Sequence, residues 1–236
     1  MLRLAHRGDD GRAPENTLAA FAAALARPSC DGLELDVRAS ADGVAVVLHD
    51  ATLARVQGRP ERAAALSAAE LRTLGVPTLA AVLAACRPEA FLDVELKEDL
   101  GWAALDPLLA GRGLPDGSLS NAVISAFEPS TLATMRRLAP AVACWLNTED
   151  LEPATIETAH ALGCRAISVE WRAIDARSAA AVAHAGLDLA AFTLTSRRPL
   201  ARLERLGVVA VCVEGAALGA DGRTAEARRR AALAQN

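Results

Sequence analysis

Short apolar runs rich in β-branched residues alternate along the chain with longer stretches rich in alanine and leucine. Such short runs are typical of buried strands, and the longer stretches are typical of helices. The predicted strands are Leu2–Ala5, Leu33–Val37, Val44–Leu48, Phe91–Leu96, Ala122–Ala126, Val142–Leu146, Ala166–Val169, Leu187–Thr193 and Val208–Val213. The predicted helices are Thr17–Ala26, Ser67–Thr73, Leu79–Cys86, Ser130–Leu138, Pro153–Leu162, Asp175–Ala185 and Pro199–Leu206. This alternation predicts parallel strands joined by crossover helices, in an open sheet or a closed barrel.

The second and third predicted strands lie too close in sequence for a parallel crossover. Only about six residues separate Val37 from Val44, whereas a crossover needs roughly a dozen or more. We therefore expect a hairpin whose turn is Ala41-Asp42-Gly43. Eight strands then remain, which is the number in a closed barrel. The sequence predicts an α/β fold, a single (β/α)8 TIM-type barrel with a hairpin extension after strand 2, and one domain over residues 1–236.

Polar residues gather at the C-terminal ends of the predicted strands, where the active site of a barrel assembles. His6 and Arg7 directly follow the first strand. An imidazole beside a planar cation suits a phosphate group. The alternative is that His6 is a hydrogen-bonded loop histidine and that Arg7 pairs with Asp9 or Asp10.

Two strands carry acids on the face opposite their leucines. Glu34 and Asp36 alternate with apolar residues on one strand, as Asp93 and Glu95 do on another. Because side chains alternate across a strand, the acids are expected inside the barrel, where they need a compensating cation. Glu95 could supply a third oxygen ligand for Mg²⁺ or Ca²⁺. The alternative for the first strand is an exposed edge with its acids in water.

Lys97 is the only lysine among the 25 basic residues of the chain. It continues the alternation of Asp93 and Glu95, so we expect it at the barrel mouth as a compact positive charge for a phosphoryl oxygen. The alternative is a surface ion pair with Glu98 or Asp99.

His49 ends the returning strand of the hairpin, and Asp50 follows it. A hairpin that projects from the barrel mouth would bring His49 back beside Glu34 or Asp36. Asp50 could then orient the imidazole. The alternative is a purely structural histidine.

In this order and spacing, the motifs resemble the glycerophosphodiester phosphodiesterase family. The matching segments are His6-Arg7-Gly8, Pro14-Glu15-Asn16-Thr17, Phe21, Glu34-Leu35-Asp36-Val37, Asp42-Gly43, His49-Asp50, Leu53 with Arg55, Pro77-Thr78-Leu79, Glu95-Leu96-Lys97 and Ile124-Ser125-Ala126-Phe127-Glu128-Pro129.

The resemblance implies a role for each motif. Glu34, Asp36 and Glu95 would hold one divalent cation, Mg²⁺ or Ca²⁺. His6 and His49 would be the acid/base pair. Arg7 and Lys97 would contact the phosphate, and Glu15 and Asn16 would position the substrate or the cation's ligands.

The C-terminal part departs from the family pattern. Phe192-Thr193-Leu194-Thr195 replaces a usual Trp-Thr-Val-Asn, and Val213-Glu214 replaces a usual Thr-Asp at the end of the last strand. We expect these positions, and Phe192 as a substrate contact, to shape the pocket around the leaving alcohol. The head group of the substrate stays open.

The resemblance thus implies a phosphoric diester hydrolase that converts glycerophosphodiesters, the products of phospholipid deacylation, to glycerol 3-phosphate and an alcohol by His/His acid–base catalysis. Two alternatives stay open. One is a related barrel phospholipase or lyase that releases a cyclic phosphate. The other is a catalytically silent phosphodiester-binding module.

The composition and net charge limit the classes of molecule that the chain is expected to bind. The chain is 52% hydrophobic with a net charge of −4, and it has no basic arm. We therefore expect a small-molecule phosphodiester substrate, no nucleic acid and no stable membrane insertion, while a homo-oligomer stays open. The first five residues are too short for a signal peptide, and the Arg228-Arg229-Arg230 run is interpreted as a solvated helix end. Five scattered cysteines without a C-x-x-C pair suggest buried thiols in a reducing compartment, hence a cytoplasmic protein.

Overall fold

The computed structural model describes residues 1–219, and within them nine strands form one sheet. Their order is β1-β9-β8-β7-β6-β5-β4-β2-β3, and an additional pairing of β1 with β2 closes the eight parallel strands into a barrel. The strands are β1 Leu2–His6, β2 Gly32–Ala39, β3 Ala45–Val47, β4 Phe91–Leu96, β5 Ala122–Ala126, β6 Cys144–Thr148, β7 Ala166–Glu170, β8 Asp188–Leu194 and β9 Val208–Val213. The predicted (β/α)8 barrel is confirmed.

Helices follow the barrel strands and cover the outside of the barrel. They are α1 Leu18–Leu25, α2 Ala54–Gln57, α3 Ala68–Thr73, α4 Leu79–Ala85, α5 Trp102–Arg112, α6 Pro129–Leu138, α7 Pro153–Ala161, α8 Ala176–His184 and α9 Leu200–Arg205. Several begin at the side-chain caps that their sequences favour, such as Thr17, whose oxygen accepts from the Ala20 amide at 3.2 Å. Within residues 1–219, none of these helices has the length and apolar character needed to cross a membrane.

Strand β3 lies outside the barrel and pairs antiparallel with the extended end of β2, with Val37 opposite Val47. Gly43 in the connecting turn has a φ of +74°, a left-handed conformation that costs glycine little. The predicted hairpin is therefore confirmed. It brings the segment after β3 back toward the mouth of the barrel, where the amide of Leu48 donates to the carbonyl of Asp36.

The alternation of side chains along β2 places apolar residues on one face of the strand and acids on the other. Leu33, Leu35 and Val37 are fully buried in the large apolar cluster between barrel and helices. Glu34 and Asp36 are buried on the other face, inside the barrel. Deeper in the interior, the space is filled by a small cluster of Leu4, Val123, Trp145, Ala166, Ala190, Ala210 and Cys212. The predicted orientation of the two acids is confirmed.

Two helices were not predicted. Helix α5 contains Pro107, which removes one backbone hydrogen bond and normally disfavours a helix interior. Burial of Leu105 and Leu108 against the barrel outweighs that cost. Helix α2 is a single turn that ends at Gly58, whose φ is +68°. Short helices of this kind leave almost no periodic signal in a sequence.

All five cysteines are buried free thiols, as predicted. The run Arg228-Arg229-Arg230, and with it the end of the single domain predicted over residues 1–236, lies outside the described residues.

Candidate active site

Three carboxylates meet at the C-terminal end of the barrel. Glu34 and Asp36 come from β2 and Glu95 from β4, and one oxygen of each lies within 4.8 Å of the others. The strand register explains the convergence, because Asp36 lies directly opposite Glu95. The predicted convergence of these three side chains is confirmed, since all three lie close enough to touch a common ion. We call Glu34, Asp36 and Glu95 the carboxylate cluster.

The carboxylate cluster is electrostatically strained. Burial, reinforced by repulsion from Asp36 and Glu95, raises the pKa of Glu34 well above its ordinary value. Burial raises the pKa of Glu95 as well. Burial also opposes ionisation of Asp36, but Lys97 and Arg7 outweigh it and lower the pKa of that carboxyl.

Asp93 is a fourth buried acid, two residues before Glu95 on β4 and directly opposite Glu34 in the strand register. Burial raises its pKa to about 7, even though Ser125 Oγ donates to its Oδ1 at 2.6 Å. Four buried carboxylates therefore face the two cations Arg7 and Lys97 in this part of the described structure.

The donor set fits a hard divalent cation. Oxygen Oε1 of Glu34 is buried and has no hydrogen-bond donor among residues 1–219. Such an atom is costly unless a positive group reaches it. Carboxylate oxygens are the ligands that Mg²⁺ and Ca²⁺ prefer, and a double positive charge would balance the local excess of acids.

Arg7 and Asn16 both reach Asp36. Arg7 Nε lies 3.0 Å from Asp36 Oδ2, and Asn16 Nδ2 donates to the same oxygen at 2.8 Å. Both residues have φ near +57°, a conformation that side chains other than glycine adopt at a cost, commonly at functional sites. Gly8 follows with φ +93°, where a Cβ atom would lie 2.8 Å from the backbone of Ala20. The alternative that pairs Arg7 with Asp9 or Asp10 is wrong.

Lys97 points into the site. Its Nζ lies 2.9 Å from Asp36 Oδ1 and also contacts Glu95. The alternative of a surface pair with Glu98 is wrong, because Glu98 instead accepts a hydrogen bond from the amide of Ala39. Burial disfavours the ammonium, but Asp36 and Glu95 outweigh it and raise the pKa of Lys97. The lysine is therefore held charged at the mouth of the barrel.

Each of the two histidines is engaged by a carboxylate through Nδ1. His49 Nδ1 lies 2.6 Å from Asp50 Oδ1, and His6 Nδ1 contacts Glu214. A carboxylate at Nδ1 keeps that nitrogen protonated and leaves Nε2 to exchange protons. His6 Nε2 lies 3.7 Å from Glu34 Oε2, so this imidazole borders the carboxylate cluster.

Arg55 links the two histidine-bearing segments. Its guanidinium donates to both oxygens of Glu15 at 2.7 Å and to Asp50 Oδ2 at 2.7 Å. Glu15 in turn accepts from Arg7 Nη1 at 3.1 Å. One guanidinium thus joins the segment after β1 to the segment after β3. Its hydrogen bonds also lower the pKa of Asp50.

A cavity of about 200 Å³ opens onto these groups. Both histidines, Arg7, Glu34 and Glu95 line one side of it. The rest of the lining consists of the acid Asp93 and of uncharged residues, which are Asn147, Ser168, Phe127, Phe192, Thr193 and Cys212. The rings of Phe127 and Phe192 meet edge to face with centroids 5.8 Å apart. Phe192 therefore lies in the wall of the cavity, which is where the sequence predicted it.

Some of these contacts escaped the sequence reasoning. The pairing of Glu214 with His6 was not predicted, although Glu214 follows a strand end as the other site residues do. Arg55 was noted only as part of a motif, because a side chain of a one-turn helix has no strand to place it. Asn147 directly follows the predicted strand Val142–Leu146, as other site residues follow theirs, but its uncharged amide does not stand out as an acid, a base or a metal ligand.

The chain matches the "Glycerophosphoryl diester phosphodiesterase family" over residues 6–216. It is 26% identical to the YhdW protein of Bacillus subtilis over 225 residues, which cover 88% of this chain and 92% of that protein. It is 31% identical to rat glycerophosphodiester phosphodiesterase 1 over 152 residues, which cover 57% of this chain but only 45% of the rat protein.

A solved structure with the same fold is a phosphodiesterase of Oleispira antarctica in complex with the product sn-glycerol-3-phosphate. Its TM-score is 0.79 at 24% identity, and the match covers 99% of this chain and 97% of that one.

Proposed function

The chain belongs to the glycerophosphoryl diester phosphodiesterase family, and on that premise we propose that it is a metal-dependent enzyme that hydrolyses glycerophosphodiesters to glycerol 3-phosphate and an alcohol. One observation carries the proposal. Two imidazoles, each with a carboxylate at Nδ1, line the same small cavity as Glu34 and Glu95, and these two carboxylates and that of Asp36 lie close enough to share an ion. Acid–base groups beside a cation site can supply both the proton transfers and the charge stabilisation of phosphodiester hydrolysis.

Glu34, Asp36 and Glu95 would hold one divalent cation, Mg²⁺ or Ca²⁺. When bound, such an ion supplies Lewis-acid stabilisation of the charge on a phosphoryl oxygen. The strained carboxylates and the buried, unpaired oxygen of Glu34 support this assignment.

The two histidines carry the proton transfers of the proposed reaction. One takes a proton from the nucleophile, which is either water or the 2-hydroxyl of the glycerol portion, and the other gives a proton to the departing alkoxide. Attack by the 2-hydroxyl forms a cyclic phosphate, which water must then open to give glycerol 3-phosphate. The carboxylates of Glu214 and Asp50 hold each ring with Nδ1 protonated, so that Nε2 is the nitrogen that exchanges the proton. They also stabilise the imidazolium that forms when a ring accepts one.

Arg7 and Lys97 contact the phosphoryl group. Arg7 offers a planar pair of N–H donors and Lys97 a compact charge, and both oppose the negative charge that develops on the oxygens. Asn16 positions Arg7 through their shared contact with Asp36, and Glu15 positions it by a direct ion pair. Phe192 contributes to the wall around the leaving alcohol.

In this proposal residues 1–236 act as one domain on a small-molecule substrate in the cytoplasm. The sequence and the cavity support a substrate of this size, because about 200 Å³ accommodates a glycerophosphate portion and leaves the head group near the opening.

The test is an assay of the purified chain on glycerophosphocholine with Mg²⁺, with Ca²⁺ and with EDTA, followed by phosphorus NMR of the product. We expect glycerol 3-phosphate to appear with a divalent cation and turnover to stop with EDTA. Accumulation of a cyclic phosphate would instead favour the lyase alternative. Unchanged turnover in EDTA would remove the cation from the proposal, and absence of turnover with every cation would end it.

A further inference from the structure

The buried amide of Asn147 on β6 has one polar atom without a partner. Its Nδ2 donates to Ser125 Oγ at 3.3 Å, and Ser125 Oγ donates to Asp93 Oδ1. This order of donors fixes the amide while Asp93 is ionised, because the hydroxyl proton of Ser125 is then committed to Asp93 and only its lone pairs face Asn147. Oxygen Oδ1 of Asn147 is consequently left without a hydrogen-bond donor anywhere in residues 1–219.

This oxygen belongs to a side chain that lines the site cavity. Asn147 is 5% exposed, and its wall of the cavity faces the histidines and carboxylates. A buried carbonyl oxygen without a donor destabilises a protein unless water or a ligand supplies one. The amide is therefore built to receive a hydrogen-bond donor that enters from the cavity.

The surroundings of Asn147 select the kind of donor. Ser168 lies directly opposite it on β7 in the strand register and is also buried. A hydroxyl beside an amide oxygen can bind a polyol, because each substrate hydroxyl can donate to one group and accept from the other. On the same face the apolar Trp145 and Ala166 occupy the positions below. The next position above Ser168 is Glu170, whose carboxylate is engaged by the amide and the guanidinium of Arg172.

We infer that Asn147 and Ser168 form a subsite for the glycerol portion of the substrate, with Asn147 Oδ1 accepting a hydrogen bond from a glycerol hydroxyl. The inference rests on the proposed function, because it takes the phosphoryl group to lie against the histidines and the carboxylate cluster. Glycerol hydroxyls are donors common to all glycerophosphodiesters, whereas a head group such as choline offers none.

Binding of two phosphate monoesters to the cation-loaded protein tests the subsite without relying on turnover. Glycerol 3-phosphate carries two hydroxyls, and n-propyl phosphate has the same carbon chain and phosphate without them. By calorimetry we expect the wild type to bind glycerol 3-phosphate about tenfold more tightly. In Asn147→Leu, which keeps the branched shape and the number of non-hydrogen side-chain atoms but removes the acceptor, we expect this ratio to fall to about one while the affinity for n-propyl phosphate changes by less than about twofold.

Two serine variants complete the test. Ser125→Ala removes the hydroxyl that orients the amide but leaves Oδ1 in place, so we expect an intermediate ratio. Ser130→Ala, at an exposed position at the start of α6 outside the cavity, should keep the wild-type ratio. If Asn147→Leu does not fold, as judged by its melting curve, the ratio in Ser125→Ala relative to Ser130→Ala decides.

Three results would overturn the proposed subsite. The wild type could bind the two esters with equal affinity, or the ratio of the two affinities could be unchanged in Asn147→Leu. The affinities of that variant for both esters could also fall by the same factor. These results differ from failure of the proposed function, which would show as a lack of hydrolysis of glycerophosphocholine by the wild type. Affinity for the two esters can be compared whether or not the wild type turns over.

Discussion

The two sides of the barrel mouth are built from different chemistry. Strands β1, β2 and β4 supply ionisable groups, which are His6, Glu34, Asp36, Asp93 and Glu95. Strands β5 to β8 supply mainly neutral groups, which are Ser125, Asn147, Ser168 and Phe192. The acid Glu170 at the end of β7 lies opposite Phe192 in the strand register but pairs with Arg172. We call the two sides of the mouth the charged side and the neutral side.

The two sides differ in how completely their charges are compensated and their hydrogen-bonding groups are paired. The charged side contains more buried acid than its own cations compensate, so the pKa values of Glu34 and Glu95 rise. The neutral side closes its hydrogen bonds from Asn147 through Ser125 to Asp93 and leaves a single amide oxygen unpaired. In the proposed function the charged side holds an ion, whereas the inferred subsite on the neutral side needs only a well-placed hydroxyl. We expect reaction rate to depend on the first and selectivity on the second.

The largest effect should come from the histidines of the charged side. His49→Ala and His6→Ala each remove one proton-transfer group, and we expect each to lower kcat by a factor of about 10²–10⁴. Cation binding should persist, because neither ring belongs to the carboxylate cluster; the rise in melting temperature on adding Mg²⁺ or Ca²⁺ measures it. His160→Ala, in an exposed part of α7, is the matched control and should keep wild-type turnover. Near-normal kcat in either site variant would refute the assignment.

Glu34→Gln separates the cation from the fold. The amide replaces a buried carboxyl whose pKa is raised. Above that raised pKa the metal-free wild type must bury an uncompensated charge, so there we expect the metal-free variant to melt roughly 2–4 °C higher than the wild type, equivalent to about 1 kcal/mol. The same change should remove most of the stabilisation by added cation, because a ligand is lost. Glu157→Gln, exposed on α7, should alter neither quantity. A Glu34→Gln protein that still responds fully to cation would show that the ion binds elsewhere.

The charged side should also make cation binding depend on pH. Burial raises the pKa of Glu34, so the folded metal-free protein holds a proton there more tightly than the unfolded chain does. That preference stabilises the metal-free fold below the ordinary glutamate value of about 4.3 and is lost as pH rises through the raised value. Since a cation must displace this proton, we expect the melting shift that it causes to be larger at about pH 8 than at about pH 5.5. An equal shift at both values would contradict the raised pKa.

The charged side was largely predictable from sequence. Glu34, Asp36 and Glu95 alternate with leucines and valines, so the period of two of a strand already places them inside the barrel. His6 and His49 directly follow the predicted strands Leu2–Ala5 and Val44–Leu48. The short link from Val37 to Val44 predicts a hairpin, which brings His49 back toward the barrel mouth. Local sequence was sufficient there because each motif contains both the strand that sets the direction of the side chains and the acid or histidine side chain itself.

The neutral side and the long-range contacts were not predictable in this way. Asn147 becomes informative only through Ser125, 22 residues away, and Glu214 only through His6, 208 residues away. Residues so far apart in sequence come into contact because the strands close into a barrel. The local period of side chains in a strand does not indicate which strand ends will face each other. Helix α5 was missed for a related reason, since burial against the barrel decides its conformation rather than the propensity of Pro107.

Arg55 tests whether the two histidine segments must be held together. The side chain is nearly half exposed, so its ion pairs should contribute only about 0–1 kcal/mol to stability. It nevertheless fixes Asp50 beside His49 and Glu15 beside Arg7. We expect Arg55→Met to lower kcat about tenfold with little change in melting temperature, because misplacement of a catalytic group costs rate more than stability. Arg59→Met, which loses only an exposed pair with Glu61, should leave kcat unchanged. A large fall in stability with normal kcat would make Arg55 merely structural.

The smallest effect is expected from Phe192, on the neutral side. Its ring meets that of Phe127 edge to face, and the two form an apolar wall with no formal charge of their own. The quaternary ammonium of a choline head group is attracted to aromatic faces by about 0.5–1 kcal/mol at exposed sites. Phe192→Ala should therefore raise KM for glycerophosphocholine about threefold, leave kcat unchanged and leave KM for glycerophosphoglycerol nearly unchanged, whereas Phe192→Trp should retain the wild-type preference. Steady-state kinetics on the two substrates distinguish this arrangement from one in which the ring contacts the glycerol portion, because that contact is common to both substrates and its loss would raise both KM values equally.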